Sequence, residues 1–193
     1  MINVCFVCLG NICRSPTAEG VLLSMVQARG LQHHIAVESA GTAAYHLGER
    51  PDRRALQHAR QRGIELPSRA QQFQSGDFER FDYVLAMDTS NLEHLRRLAR
   101  QEQAGKLHLL LDFHPEFPPG SSVPDPYYGG AEGFAVAKWS AGVLARVCIG
   151  RCRIFTPHVL ADGDVFHFRR DDSAPRGFEL GDCEARFVAE HAR

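Results

Sequence analysis

The sequence carries almost no net charge and no long hydrophobic segment. Its 193 residues include 22 lysines and arginines and 23 aspartates and glutamates, which gives a formal net charge of −1. This balance gives no reason to expect nucleic acid or an anionic membrane surface as a bulk partner. No apolar run approaches the length of a transmembrane helix, and residues 1–9 lack the basic leader of a secretory signal. We therefore expect a cytoplasmic protein without membrane insertion.

Cysteines are few and widely spaced. The six stand at positions 5, 8, 13, 148, 152 and 183, a spacing that matches no compact disulfide framework. Cys5 and Cys8 form a C-x-x-C pair, yet Cys5 falls inside a predicted strand that turns it into the core. The other close pair, Cys148 and Cys152, has an unusual spacing for a zinc site. We expect reduced thiols, no metal and no cofactor.

Apolar strand-like segments alternate with amphipathic helical segments along the first 150 residues. This alternation predicts an α/β fold, a doubly wound four-stranded parallel sheet with helices on both faces. Folds of this kind bind ligands outside the carboxyl ends of their strands. The predicted strands are residues 2–7, 35–38, 83–87 and 107–111, and the predicted helices begin near residues 16, 51, 89 and 131.

Local signals predict where several of these segments begin and end. Ser15 is a suitable N-cap for the first helix, and Asp88 or Ser90 is one for the third. Residues 39–42, SAGT, are predicted as a turn after the second strand. We expect two parts, a catalytic domain at residues 1–150 and a C-terminal extension at residues 151–193.

The first loop combines a thiol, a tight turn and a guanidinium in the sequence VCLGNICRSP. Backbone N–H groups curled between a strand end and a helix start form a nest for an anion, which the helix dipole reinforces. Arg14 adds a planar fork that matches two phosphate oxygens, and Ser15 can donate to a sulfur. In that positive field Cys8 is expected to be a nucleophilic thiolate. The G-x-x-x-x-G-K-[ST] pattern of nucleotide-binding loops is absent.

A candidate general acid lies in the sequence VPDPYYGG. Attack on a phosphate ester expels an alkoxide or phenolate, which leaves more easily when an acid protonates it. Asp125 stands between two prolines that fix its backbone. The alternative, a loop aspartate with turn-forming neighbours, stays open from spacing alone.

With both segments in view, the chain resembles the low-molecular-weight protein tyrosine phosphatases from Asn3 to about Phe134. The loop matches the signature C-x5-R-[ST]-P of that family. Further matching segments occur in the family's order: SAGT at 39–42, RPD at 50–52, DFERFDYVLAMDTSN at 77–91 and DPYYGG at 125–130.

The resemblance implies an enzyme that hydrolyses phosphotyrosine and releases inorganic phosphate. Cys8 would be the nucleophile that forms a phosphocysteine, Arg14 would clamp the phosphoryl group, and Asp125 would act first as acid and then as base. A disulfide between Cys8 and Cys13 under oxidation is also implied, and it would spare Cys8 from irreversible products. The implied phosphate-binding set is Leu9, Gly10, Asn11, Ile12, Cys13, Arg14 and Ser15, with Ser39 as nearby support.

The implied substrates are phosphotyrosine-containing proteins, with autophosphorylated bacterial tyrosine kinases as one class. Tyr45, Tyr127 and Tyr128 would form aromatic walls of a cleft deep enough to favour phosphotyrosine over the shorter phosphoserine. A monomer is expected. Ser68 departs from the animal members, which usually have a histidine at this position.

Two other functions stay open at this point. Arsenate reductases share the loop but need further cysteines, expected near residues 80–95, where this sequence has none. A catalytically weak module that binds phosphate or phosphotyrosine is favoured only by the unusual C-terminal third. Residues 151–193 resemble no part of the family, and they are either a genuine extension or the product of a shifted reading frame.

Overall fold

The computed structural model describes residues 1–113 and 117–125 of the chain. Four parallel strands form one sheet in the order β2-β1-β3-β4. The strands are β1 Ile2–Cys8, β2 Ile35–Gly41, β3 Tyr83–Ala86 and β4 Leu107–Leu109. The helices are α1 Arg14–Ala28, α2 Arg53–Arg60 and α3 Thr89–Leu98, with 3₁₀ helices at Ser75–Glu79, Gln101–Lys106 and Leu110–Phe113.

The predicted α/β fold with a four-stranded parallel sheet is confirmed, and the loop with Cys8 and Cys13 follows β1 as predicted. The predicted helix near residue 131, the side chains of Tyr127 and Tyr128, and the extension at residues 151–193 lie outside the described residues. Within the described part, no helix is long and apolar enough to cross a membrane.

The predicted turn at residues 39–42 is wrong for three of its residues. β2 continues to Gly41, because Phe6 pairs with Ser39 and Cys8 pairs with Gly41 in the parallel ladder. The predicted N-cap at Ser15 is also wrong, since α1 already begins at Arg14 and Ser15 lies in its first turn. In the structure Ser39, in the extended β2, and Ser15, in the first turn of α1, both lie close to the end of β1.

The core is built around β1, whose residues Val4 to Val7 are fully buried between β2 and β3. Alternate side chains of β1, Cys5 and Val7, join a cluster with Leu95 of α3 and the ring of Phe78. The buried rings of Phe73 and Phe78 meet edge to face with centroids 4.9 Å apart. A parallel strand covered on both faces requires this continuous apolar sequence, which β1 supplies.

The parallel arrangement brings several chain segments together at one edge of the sheet. Thr42 N donates to Cys8 O at 2.8 Å, and Ala43 N donates to Leu9 O at 3.0 Å. From the other neighbour of β1, Met87 N donates to Val7 O at 2.9 Å. The loop after β1 is therefore held on both sides by the segments that follow β2 and β3.

Gly20 allows a loop to lie directly on α1. A Cβ at this position would meet Leu66 Cδ2 at 2.4 Å and the backbone oxygen of Glu65 at 2.5 Å. The backbone oxygen cannot move away as a flexible side chain can. The absence of a side chain at Gly20 is therefore what lets the segment with Leu66 cover this face of the helix.

Gly20→Ala tests this close approach. Alanine normally favours a helix by about 1 kcal/mol over glycine, but overpacking costs about 1–3 kcal/mol. We expect the overpacking to exceed the helix preference and the midpoint of urea unfolding to fall. Gly76→Ala is the matched control, because a Cβ there meets nothing within 4 Å. A Gly20→Ala protein as stable as the wild type would contradict the close packing.

Candidate active site

The loop between β1 and α1 curls around the sulfur of Cys8. Asn11, at its centre, adopts a φ of 55°, the left-handed region, and is the one non-glycine residue of the described chain to do so. Asparagine tolerates this conformation better than most residues because its short polar side chain can bond locally. The curl directs Asn11 N toward Cys8 Sγ, at 3.2 Å. The sulfur therefore lies at the bottom of the loop, with Cys8 only 3% exposed.

The Asn11 side chain uses every one of its hydrogen-bonding groups. Its Oδ1 accepts from Gln71 N at 2.9 Å. Its Nδ2 donates to Ser15 Oγ at 2.9 Å and to Ser39 Oγ at 2.8 Å. Because a backbone N–H can only donate, the bond from Gln71 fixes which end of the amide carries oxygen. This set of bonds holds the left-handed residue in place and so holds the loop.

Ser15 is placed to stabilise negative charge on the sulfur. Its Oγ lies 3.1 Å from Cys8 Sγ and 3.2 Å from Ala40 O. Asn11 already donates to this oxygen, so the hydroxyl proton of Ser15 is available for one of those two acceptors. The Ser15 hydroxyl and the Asn11 N–H thus both lie within hydrogen-bond distance of Cys8 Sγ.

Arg14 is a buried cation between two carboxylates. Its Nη1 donates to Asp88 Oδ2 at 2.6 Å and to Val123 O at 3.2 Å, and its Nη2 donates to Asp125 Oδ2 at 2.9 Å. The side chain of Arg14 is 4% exposed, against 21% for Asp88 and 31% for Asp125. The ion pairs compensate the removal of the guanidinium from water and fix its plane.

The interaction of Asp88 with Arg14 was not anticipated from the sequence. The predicted role of Asp88 as a helix cap is confirmed, since its Oδ1 accepts from Asn91 N at 2.7 Å at the start of α3. Its other oxygen pairs with Arg14, 74 residues away in the chain. The predicted sheet could have indicated this contact, because Arg14 follows β1 and Asp88 follows β3, and the two parallel strands end at the same edge of the sheet.

Asp125 reaches the site through a segment anchored to the sheet. Val123 N donates to Met87 O at 2.7 Å, and Val123 O accepts from Arg14. These bonds bring Asp125 to the guanidinium although the two residues are 111 positions apart. The structure therefore brings Cys8, Arg14 and Asp125 together around one loop.

The remaining cysteines of the described chain lie in apolar surroundings. Cys13 packs with Ile12 and Ala70, and burial, reinforced by Asp52 and Cys8, raises its pKa to about 12. Burial also raises the pKa of Cys5 well above its ordinary value, as expected for a side chain inside β1. Both thiols are therefore protonated at neutral pH, in surroundings unlike those of Cys8.

The rim of the loop is partly apolar and exposed. Leu9, Tyr45 and Leu47 are 42%, 77% and 57% exposed. His46, whose Nδ1 lies 3.0 Å from Glu49 Oε2, packs against Gly10, where a Cβ would come within 3.0 Å of the imidazole. The predicted aromatic residue Tyr45 thus stands on the loop that follows β2, beside the phosphate-binding loop.

This arrangement suits chemistry on an oxyanion. The Asn11 N–H and the N-terminus of α1 attract negative charge, and the fork of Arg14 can fix the orientation of an oxyanion. The Cys8 sulfur at the bottom of the loop can supply a nucleophile, and the Asp125 carboxyl group bonded to Arg14 can supply a proton donor or acceptor.

Comparisons with known proteins agree with this geometry. Residues 3–139 match the family described as low molecular weight phosphotyrosine protein phosphatase. A low molecular weight protein-tyrosine-phosphatase of Streptomyces coelicolor is 46% identical over 152 residues, covering 75% of this chain and 93% of that protein. The human low molecular weight phosphotyrosine protein phosphatase is 37% identical over 155 residues, covering 79% and 92%. The crystal structure of YfkJ from Bacillus subtilis superposes with a TM-score of 0.71 at 35% identity, covering 78% and 96%.

Two substitutions at Asn11 separate the backbone conformation from the side-chain bonds. Asn11→Gly keeps easy access to positive φ but removes the bonds to Gln71, Ser15 and Ser39. Asn11→Ala removes the same bonds and adds the cost of the left-handed region, about 1–2 kcal/mol for a residue with a Cβ. We expect both to lower the free energy of urea unfolding, and Asn11→Ala to lower it further by about 1 kcal/mol. Equal stability of the two variants would show that the φ of Asn11 is not a constraint.

Proposed function

The chain belongs to the low molecular weight phosphotyrosine protein phosphatase family, and we propose that it hydrolyses phosphotyrosine in proteins through a phosphocysteine formed on Cys8. The observation that carries the proposal is the environment of Cys8 Sγ, with Asn11 N at 3.2 Å and Ser15 Oγ at 3.1 Å. Arg14 is the first residue of α1, directly after this loop, and its guanidinium donates a hydrogen bond to Asp125.

Arg14 keeps one edge for the phosphoryl group. Both protons of Nη1 are used, by Asp88 and by Val123 O, and one proton of Nη2 is used by Asp125. Among the described residues no acceptor is bonded to Nε or to the second proton of Nη2. Two of the five N–H donors of the guanidinium therefore remain for phosphoryl oxygens. The amides from Leu9 to Arg14 bind the remaining phosphoryl oxygens.

In the first step the Cys8 thiolate attacks phosphorus. A sulfur–phosphorus bond forms, and the bond from phosphorus to the tyrosine oxygen breaks. Asp125, in its protonated form, gives its proton to the departing phenolate oxygen. The bound product is a phosphocysteine, and tyrosine leaves as a neutral phenol.

In the second step water replaces the sulfur. Asp125, now a carboxylate, removes a proton from a water molecule whose oxygen attacks phosphorus. The sulfur–phosphorus bond breaks and inorganic phosphate is released. Ser15 donates a hydrogen bond to the departing sulfur and keeps its proton, which stabilises the thiolate as a leaving group.

The depth of the site supports phosphotyrosine as substrate. Cys8 is buried, whereas Tyr45, Leu47 and Leu9 at the rim are exposed. A long aromatic phosphate ester can reach the sulfur while its ring contacts the rim, which a phosphoserine side chain is too short to do. Tyr127 and Tyr128, the other expected walls, lie outside the described residues.

Cys13 is proposed as a redox partner for Cys8. Hydrogen peroxide would oxidise the nucleophile Cys8 first, to a sulfenic acid, because Cys13 is held as a thiol with a pKa of about 12. Condensation of the sulfenic acid with the Cys13 thiol would form the sulfur–sulfur bond and release water. Thiol reductants would then restore Cys8.

The cellular setting is proposed from the thiols. A Cys8-dependent reaction needs a reduced thiol, which the cytoplasm maintains. Autophosphorylated tyrosine kinases are the proposed partner class and a monomer the proposed state, both on the family resemblance. An arsenate reductase needs further cysteines to pass on its disulfide, and residues 80–95, where they are expected, contain no cysteine.

Asp125→Asn tests the assignment of the acid. Asparagine can still accept from Arg14 Nη2, so the geometry is kept while the proton donor is lost. We expect kcat for phosphotyrosine peptides to fall about 10²- to 10⁴-fold, the usual size of general acid catalysis. The loss should be smaller for p-nitrophenyl phosphate, whose leaving group needs little protonation. Cys8→Ser should abolish both reactions. Unchanged turnover of phosphotyrosine peptides by Asp125→Asn would exclude Asp125 as the acid.

A further inference from the structure

A basic segment lies beside the active-site loop and takes no part in the steps above. Residues 50–62 contain one acidic residue, Asp52, and five arginines. The arginines are Arg50, Arg53, Arg54, Arg60 and Arg62. The whole chain, by contrast, has a formal net charge of −1. Positive charge is therefore concentrated around α2, which covers Arg53–Arg60.

The start of α2 is fixed to the loop that holds Cys8. Asp52 N donates to Ile12 O at 2.8 Å, and Ile12 lies in the middle of that loop. Asp52 is also the N-cap of α2, because its Oδ1 accepts from Arg54 N at 2.8 Å. Arg53, the first residue of the helix, therefore directly follows a residue that is bonded to the active-site loop.

Two arginines of α2 are exposed and have no carboxylate partner. The single acidic residue of the segment, Asp52, pairs with Arg54, whose Nε lies 3.1 Å from Asp52 Oδ1. Arg53 and Arg60 are both exposed, and neither forms an ion pair with any of the described residues. Their guanidinium groups can therefore bind an anionic group from another molecule.

The stability of α2 does not explain Arg53. A positive charge in the first turn of a helix is unfavourable, because the positive end of the helix dipole lies there. The first turn of α2 contains no acidic residue, and Asp52 compensates only Arg54. Arg96 and Arg97 show the opposite case, since they lie in the last turn of α3, where the dipole favours a positive charge. Arg53 thus opposes a local preference of the fold, as residues at functional sites do.

Arg53 and Arg60 lie on one face of α2, with Leu56 and Gln57 between them. The spacing i, i+3, i+4 and i+7 places these four side chains on the same side of a helix. Together with Gln61 they line a shallow depression of the surface. Leu56 is half-buried against a small apolar cluster and offers apolar contact at the centre. We call Arg53, Leu56, Gln57 and Arg60 the α2 basic face.

The length of the α2 basic face suits a short extended peptide. Seven residues of helix, the separation of Arg53 and Arg60, rise about 10.5 Å. An extended chain rises about 3.3 Å per residue, so about three residues cover this distance. Carboxylates two or four positions apart lie on the same side of such a chain. They would meet one arginine at each end of the face, while an apolar group between them contacts Leu56.

We propose that the α2 basic face binds acidic residues that flank the phosphotyrosine, so that the enzyme selects acidic phosphotyrosine segments of proteins as substrates. The phosphotyrosine occupies the loop that is bonded to the start of α2, which brings the flanking residues to this face. Because the arginines are exposed, the preference is moderate in size and weakened by salt. This inference rests on the proposed phosphatase function and deepens it by naming a class of substrate.

The test compares two phosphotyrosine peptides that differ only in charge. One has glutamate at the four positions on each side of the phosphotyrosine, and the other has glutamine at the same positions. In about 20 mM salt we expect kcat/KM of the wild type to be about three- to tenfold higher for the glutamate peptide, the size of two exposed ion pairs. In about 0.5 M salt the ratio should approach one. Equal kcat/KM for the two peptides at low salt would overturn the proposal.

Charge-removing variants locate the preference. Arg53→Gln combined with Arg60→Gln should bring the ratio close to one. The kcat and KM for p-nitrophenyl phosphate, which has no flanking residues, should stay within about twofold. Arg96→Gln combined with Arg97→Gln is the matched control, because it makes the same change in net charge at the end of α3 far from Asp88. An undiminished preference in the Arg53 and Arg60 variant, or an equal loss in the control, would overturn the proposal.

A binding measurement separates this inference from the proposed function. Cys8→Ser cannot form the phosphocysteine, so fluorescence polarisation of the labelled peptides reports Kd without turnover. Tighter binding of the glutamate peptide, lost when Arg53→Gln and Arg60→Gln are added, would support the α2 basic face even in a protein that hydrolyses nothing. Equal Kd values for the two peptides, or no binding of either, would contradict it, whatever the wild type does to p-nitrophenyl phosphate.

Thermal unfolding tests whether Arg53 has a structural role instead. Removal of a positive charge from the first turn of α2 should leave Tm of Arg53→Gln equal to or above that of the wild type. A clearly lower Tm would show that Arg53 stabilises the helix and would contradict the argument for a ligand.

Discussion

The left-handed conformation of Asn11 is the constraint on which the active site depends. It turns the backbone so that the loop closes over Cys8, and three side-chain hydrogen bonds, to Gln71, Ser15 and Ser39, keep it there. Each of those partners comes from a different segment of the fold. The register of β1 with β2 places Ser39, and the chain after α2 places Gln71. The loop is thus shaped by tertiary structure more than by its own sequence.

Three cysteines within nine residues acquire different chemistry from their surroundings alone. Cys5 and Cys13 are buried among apolar groups, which raises the pKa of each and keeps it a thiol. Cys8 is buried as deeply, but a backbone N–H and a hydroxyl point at its sulfur. The three thiols thus differ in the hydrogen-bond donors around the sulfur and not in the depth of burial. Arg14 is buried too, and its hydrogen bonds to Asp88 and Asp125 replace water and fix the plane of its guanidinium.

Much of the fold and part of the site could be predicted from the sequence, for identifiable reasons. The strand, loop and helix around Cys8 depend on local signals, and so does the alternation that gives a parallel sheet. The pairing of Arg14 with Asp88 and the bond from Ser39 to Glu19 depend on residues far apart in the chain, which local patterns do not report. Residues 39–41 were predicted as a turn but extend β2, because their pairing with β1 outweighs the turn preference of SAG.

The central claim is that phosphate passes through the sulfur of Cys8. The most direct measurement uses Asp125→Asn with p-nitrophenyl phosphate, for which formation of the intermediate needs little acid while its hydrolysis lacks the base. The reaction is stopped by denaturation at alkaline pH, the protein is digested, and the masses of the peptides are measured by mass spectrometry. The account predicts a phosphoryl group on the peptide that contains Cys8. Release of p-nitrophenol with no phosphoryl group on that peptide at any time would contradict it.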